Sequence, residues 1–200
     1  SGVVPNAGDI KFVPQRDIEY KQEITDEDRT ILGKDVPDFT YGVNLSLQYK
    51  GFEFSMFGQG ISGTKVAFDV YGVHPFYHGQ DSPRKYHLKR WTEENPNPHA
   101  AYPRIYSASS VHTTYNRNFS DYHLFDSDYF RFKTLSLGYT VPSATVKNWG
   151  LQSLKVYVTG ENLFTVRADK KMEDFDPETA GGVIYTLGTK SVAFGVNISF

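Results

Sequence analysis

The chain has 200 residues, 22% of them charged, and a formal net charge of -2, so it offers no basic field for nucleic acid. It contains no cysteine, which removes disulfides and thiolate metal sites. With a mean hydropathy of -0.47 it has no apolar run of the ~18 residues a transmembrane helix needs, but strands that cross a membrane on alternate residues stay open.

The first strong element is a predicted strand over residues 40–50. Tyr41, Val43, Leu45, Leu47 and Tyr49 fall on one face, and Gly42, Asn44, Ser46, Gln48 and Lys50 on the other. Lys50-Gly51 reads as a tight turn. Residues 52–60 then resume the alternation, with Phe52, Phe54 and Met56 opposite Glu53, Ser55 and Gln59. A long loop, 61–127, follows. A third strand is predicted over 129–141, where Leu135, Leu137, Tyr139 and Val141 oppose Thr134, Ser136, Gly138 and Thr140. Arg131 and Lys133 share the parity of Leu135, which points them to the apolar side unless a bulge resets the register. Residues 142–150 read as a turn, and 154–164 as a fourth strand with Leu154, Val156 and Val158 opposite Lys155, Tyr157, Thr159 and Glu161. After a second long connection, about 166–187, the strand 187–200 closes the set. In it Val192, Phe194, Val196, Ile198 and Phe200 alternate with Ala193, Gly195, Asn197 and Ser199.

Each strand is near the 9–11 residues that cross a bilayer at a tilt. Short and long connections alternate, as periplasmic turns and extracellular loops do in outer-membrane barrels. The second face is rich in Gly, Ser, Thr, Asn and Gln and poor in charge, which suits a wet, crowded lumen. The fold expected is therefore all-β, an antiparallel transmembrane β-barrel segment of about five strands with long extracellular loops. Asn44, Ser46, Gln48, Glu53, Ser55, Gln59, Thr159, Glu161 and Asn197 are its lumen-facing candidates. Trp149, Tyr139 and Tyr157 are candidates for an aromatic girdle at the inner interface. The alternative is a soluble β-sandwich or lipocalin-like carbohydrate-binding module, whose apolar face would be a covered core.

Motifs for chemistry are weak. G-x-G-x-x-G occurs at residues 58–63, but "TKVAFDVYGVHP" after it does not open the helix that a dinucleotide site requires. All six histidines lie between residues 74 and 123, and Pro75 stands between His74 and His78. Asp126 and Asp128 beside Tyr129 form no recognised acid–base motif, so the chain reads as a non-enzyme without a cofactor. Asp26 and Asp28 are weak candidates for a hard cation. The loop aromatics Tyr71, Phe76, Tyr77, Tyr86, Trp91, Tyr102 and Tyr106 suit either packing of the loop on itself or contact with a ligand or partner. Trp91, Tyr102 and Tyr106 are the named contact candidates.

Several segments in order resemble the C-terminal part of SusC/RagA-family TonB-dependent outer-membrane transporters. They are "AGDIKFV" (7–13), "DEDRTILG" (26–33), residues 37–66, "RWTEENPN" (90–97) with "YPRI" (102–105), "DSDYFRFKTLSLGYTVP" (126–142), "LKVYVTGENLFT" (154–165) and "SVAFGVNISF" (191–200). The resemblance implies the last strands of a barrel of roughly 22 strands, in the outer membrane of a Gram-negative bacterium. It also implies a plug domain outside this chain, a SusD-like surface lipoprotein, and energy from the TonB complex through an N-terminal part outside these residues. Cargo would be glycans or oligosaccharides, or peptides. Phe194, Val196, Ile198 and Phe200 resemble the signal read by the barrel-assembly machinery. The start at Ser1, without an initiating methionine or leader, reads as a piece of a longer polypeptide. The family's acidic D-x-N-x-D-G-like loop is missing from residues 12–30.

Overall fold

Period-two patterning folds here into an antiparallel sheet. The computed structural model describes residues 3–16, 24–67, 74–76, 82–170, 173, 175–178 and 188–200. In chain order its strands are β1 (Phe39–Tyr49), β2 (Phe52–Ser62), β3 (Lys65–Ala67), β4 (Leu124–Asp126), β5 (Tyr129–Thr140), β6 (Ser153–Arg167) and β7 (Ser191–Ser199). Among the described residues, two short helices, α1 (Val111–Asn116) and α2 (Ser143–Lys147), and 3-10 turns accompany the strands. No helix among the described residues is long and apolar enough to cross a membrane, which says nothing of strands.

The chain packs as two bodies. One comprises residues 36–64, 127–168 and 186–200 and holds the five-stranded sheet, ordered β1-β2-β5-β6-β7. The other comprises residues 1–35, 65–126 and 169–185 and holds the β3–β4 ladder and α1.

All five expected strands are present. β6 runs past its expected end to Arg167, and β7 begins at Ser191. Residue 187, where that strand was expected to start, lies outside the described residues, as do Tyr71, Tyr77 and His78. Lys50 and Gly51 both take positive φ, 47° and 87°, the left-handed pair of a two-residue hairpin turn that matches strand twist. The expected turn at 142–150 contains α2, whose Val146 is fully buried and accepts the Leu151 N–H at 3.1 Å.

Register carries the two-faced pattern across the sheet. Tyr49, Phe52, Tyr139, Val156 and Val196 stand in one row, and Leu47, Phe54, Leu137, Val158 and Phe194 in the next. On the opposite face lie the rows Ser46, Ser55, Ser136, Thr159, Ala193 and Gln48, Glu53, Gly138, Tyr157, Gly195. A soluble sandwich would cover the apolar face. Here Leu137 is 49% exposed, Val196 58% and Phe194 83%.

One register shift changes an expectation. The register of both ladders skips Lys133, and opposite it Asn162 and Leu163 are extra on β6, with Asn162 at φ 52°. Past this bulge β5 changes parity. Phe130 and Phe132 join the apolar face, in the rows of Tyr41 and Val43, and Arg131 joins Gln59 and Thr165 on the polar face. The outward placement of Arg131 is therefore wrong. Its Nε donates to Thr165 Oγ1 at 3.0 Å and the residue is buried. Tyr157 is corrected too, because it lies in a polar-face row rather than with Tyr139.

Aromatic residues gather at both ends of the apolar face. Tyr49, Phe52 and Tyr139 lie by the Lys50-Gly51 turn, the latter two rings 4.6 Å apart. At the far end Tyr41 stacks on Phe130 at 6.1 Å, and Phe132 meets Phe130 and Phe164 edge-on. Tyr41 and Tyr49 are separated by eight residues of β1, a rise of roughly 26 Å along the strand.

The second body has its own core. Tyr102, Tyr115, Phe125 and Phe175 are buried there with His74, His87 and His123. The β3–β4 ladder pairs Lys65 with Asp126 and Ala67 with Leu124, so the long loop is drawn together near its two ends.

Candidate functional site

The polar face of the sheet holds a concavity of about 290 Å³ beside the Lys50-Gly51 turn. Its walls follow from strand parity: Ser46 and Gln48 come from β1, Glu53 and Ser55 from β2, Ser136 from β5, Lys155, Tyr157 and Thr159 from β6, and Asn197 from β7. At its centre Lys155 Nζ forms an ion pair with Glu53 Oε2, and Thr140 Oγ1 donates to Glu53 Oε1 at 3.4 Å. The pair cancels its own charge and leaves a lining of hydroxyls and amides. Ser136 and Thr159 hydroxyls bond each other at 2.9 Å. Tyr157 lies where a side chain at Gly195 would stand: a Cβ there would fall 2.6 Å from ring atom Cε1. The site presents hydrogen-bonding groups and one aromatic ring.

Comparison with known proteins gives this geometry a context. No family model matches the chain. TonB-dependent receptor P3 of Formosa agariphila is 30% identical over 149 residues, covering 74% of this chain and 14% of that receptor. TonB-dependent receptor P26 of the same organism is 28% identical over 187 residues, covering 88% of this chain and 18% of its own length. Among solved structures, the RagAB peptide importer in its open-open state superposes with a TM-score of 0.58 at 24% identity, over 83% of this chain and 17% of that one. A second structure, of the RagAB peptide transporter, gives 0.56 at 25% identity over 82% and 17%. The chain is a segment of a SusC/RagA-type TonB-dependent receptor. Its open five-stranded sheet is part of a β-barrel fold, and β1 and β7 are the free edges of the piece. The segment spans 14% and 18% of the curated relatives' lengths.

Within the receptor segment, the nine polar residues singled out by alternation fall on one face. Asn44, Gln59 and Glu161 continue the face beyond the concavity toward the bulge, and Ser191 donates to Glu161 Oε2 at 3.0 Å. Phe194, Val196, Ile198 and Phe200 are exposed along β7 and the chain end.

Of the loop aromatics, Trp91, Tyr102 and Tyr106 make contacts within the second body. Tyr102 is buried, its hydroxyl 2.9 Å from His74 Nδ1, and burial pushes its phenol well above the ordinary value. Tyr106 stacks on His112 at 4.9 Å, and Trp91 lies against Gly8. Arg104 stands over both Trp91 and Tyr106, at 5.7 and 5.3 Å, and is held by Glu93 at 2.8 Å.

Asp26 and Asp28 are both engaged with arginine. Arg16 grips Asp28 through Nε and Nη2, each at 3.0 Å, and Thr25 N–H adds a third donor at 2.9 Å. The Arg16 guanidinium, followed by the Thr25 N–H, holds the Asp28 carboxyl well below the usual carboxylate range. Asp26 pairs with Arg29 at 3.0 Å. Among the described residues no group of three or more His, Asp or Glu is arranged to hold a metal ion.

Sequence reasoning missed Asp9, which lies in the "AGDIKFV" segment but was given no role. Its side chain has no solvent exposure. Asn6 N–H and His112 Nδ1 meet Oδ2 at 2.7 and 2.8 Å, and Asn116 Nδ2 meets Oδ1 at 2.8 Å. Asn116 Oδ1 in turn accepts from Ile10 N–H at 2.9 Å, which fastens the N-terminal segment to α1. The signal available was "NAGD" at residues 6–9, whose Asn and Gly mark a turn, closed here by Asp9 N–H donating to the Asn6 carbonyl at 3.0 Å.

Proposed function

We propose that this segment belongs to an outer-membrane TonB-dependent importer of a Gram-negative bacterium. In that reading the apolar face of the sheet meets lipid and the polar face lines the conduit. The observation that carries it is the bare apolar face, bounded at both ends by aromatic residues on the scale of the ~25 Å apolar band of such barrels. Free edges at β1 and β7 would not be tolerated in lipid, so the remainder of the barrel pairs with them.

The family supports a reading of the rest of the assembly. A plug domain outside this chain closes the lumen, a SusD-like lipoprotein caps the long loop 61–127, and the TonB complex supplies energy. Short connections face the periplasm, and Phe200 at that rim serves recognition by the barrel-assembly machinery. Cargo is a glycan or oligosaccharide; the likeness to the RagAB peptide importer makes peptide the competing class.

The test uses the full-length receptor in its host. It should fractionate with the outer membrane, and uptake of its cargo should stop when TonB is deleted. Recovery in a soluble fraction, or uptake indifferent to TonB, would reject the reading.

A further inference from the structure

Charge is placed unevenly at the end of the sheet beside the Lys50-Gly51 turn. Residues 48–53, 138–155 and 195–200 carry four charged side chains there: Lys50, Glu53, Lys147 and Lys155. Lys155 and Glu53 neutralise each other on the polar face. Lys50 and Lys147 are exposed, and neither has an acidic partner among the described residues. The side chains of this rim are therefore positive in sum, although the whole chain has a formal net charge of -2. Alternation alone sends Lys50 to the polar face. Its ammonium stands instead 5.2 Å from the centroid of the Tyr49 ring, which belongs to an apolar-face row. Lys147 follows on α2, in the connection that starts where Thr140 N–H donates to the Gly51 carbonyl at 2.8 Å. Tyr49, Phe52 and Trp149 are exposed at the same end. A cation at the margin of an apolar surface, ringed by aromatic side chains, fits the boundary of a bilayer. Stem and rings lie along hydrocarbon while the ammonium reaches phosphate level.

We propose that this turn rim docks the headgroups of anionic phospholipid, with Lys50 and Lys147 as the phosphate contacts and Tyr49 holding the Lys50 ammonium at the margin of the apolar face. The assignment rests on the reading that the apolar face meets lipid. It goes further, because it names the headgroup class at one rim and the side chains that select it. Each lysine close to an anionic surface contributes on the order of a fivefold preference over a zwitterionic one. An acidic protein partner would need a patch of interface size, whereas the rim is the narrow end of a sheet whose adjoining apolar face is bare. Lys155 takes no part, since Glu53 already holds it on the other face.

The experiment uses the full-length receptor, assembled as a barrel and reconstituted into phosphatidylethanolamine vesicles. A trace of phosphatidylglycerol or of phosphatidylethanolamine carrying a photoreactive group at the headgroup is added, and labelled peptides are mapped by mass spectrometry. Phosphatidylglycerol should label residues 49–52 and 143–150 more than phosphatidylethanolamine does, by on the order of fivefold or more. Lys50→Asn, which keeps a residue that tolerates positive φ, and Lys147→Gln should each cut that preference on the order of fivefold. Lys89→Gln, in the second body, should leave it unchanged. If Lys50→Asn does not assemble, Lys147→Gln and Tyr49→Leu carry the same expectation. Equal labelling by the two lipids, a preference that survives the lysine variants, or the same loss in Lys89→Gln overturns the docking surface, as does competition by soluble glycerol phosphate at the concentration of the lipid. Those results leave the importer reading standing. Absence of labelling at the rim by either lipid would give the rim to a soluble acidic partner and count against the membrane reading as well.

Discussion

A carboxylate withdrawn from solvent must be met by donors, and Asp9 is met by Asn6, Asn116 and His112. Burial pushes its carboxyl up, but the hydrogen bonds from Asn6, Asn116 and His112 together hold it below the ordinary value of 3.8. A lowered carboxylate stabilises the folded form above its unfolded value and loses that contribution as pH falls through the folded value. Hydrogen-exchange protection factors of residues 3–13 and α1 should therefore be high at neutral pH and fall below pH 3.8, with Asp28 acting in the same direction on residues 15, 16 and 24–28. Asp9→Ala should bring fast exchange of residues 3–13 already at neutral pH, because it removes three donor contacts from a buried site at a cost of about 1.5–3 kcal/mol. Slow exchange in that variant would mean that the segment is held by other contacts.

At the scale of elements, strand β5 provides a paired test of sidedness. Leu137 and Ser136 are neighbours on opposite faces of β5. In the full receptor refolded into bilayers, Leu137→Arg should cost about 2–4 kcal/mol in denaturant unfolding, and Ser136→Arg distinctly less. Equal losses would reverse the assignment of faces. The β1–β2 hairpin gives another. Gly51→Val puts a β-branched residue at positive φ and drives its Cβ to within 2.7 Å of the Thr140 carbonyl, so it should destabilise by at least ~1–2 kcal/mol. The same variant with unaltered stability would show that the turn relaxes to another type. The strands were legible because side-chain alternation is a local property, readable within a strand such as residues 41–49. The bulge was open as an alternative but not decidable, since an extra position at Lys133 shows itself only in the register with β2 and β6. The face of Tyr157 was legible too, since its parity sets it with Lys155 and Thr159 and against a girdle role; its neighbour Gly195 across the ladder, almost forty positions away in sequence, was not.

For the molecule as a whole, an exposed apolar face and two open edges dictate behaviour in water. The isolated 200-residue segment should associate in detergent-free buffer and become monodisperse only in detergent, checked by light scattering; a stable monomer in plain buffer would contradict the membrane reading. Deletion of Phe200 from the full receptor should reduce the amount reaching the outer membrane more than it lowers the unfolding midpoint of the receptor that arrives. The candidate site divided along the same line as the fold. Its polar set was visible from alternation, whereas the inward engagement of Trp91, Tyr102 and Tyr106 arises from contacts with Gly8, His74 and His112, which no periodicity encodes.

The extra position at Lys133, which the register of both ladders skips, has a further consequence for how this strand tolerates change. Because one extra residue inverts the orientation of everything between it and the start of β5, the strand behaves as two pieces with opposite handed-out faces. Shortening the chain by that single residue would swing the guanidinium of Arg131 toward the oily exterior and tuck the rings of Phe130 and Phe132 among water-seeking neighbours. Substitutions at 133 leave that geometry in place, so at this position length is guarded more strictly than identity.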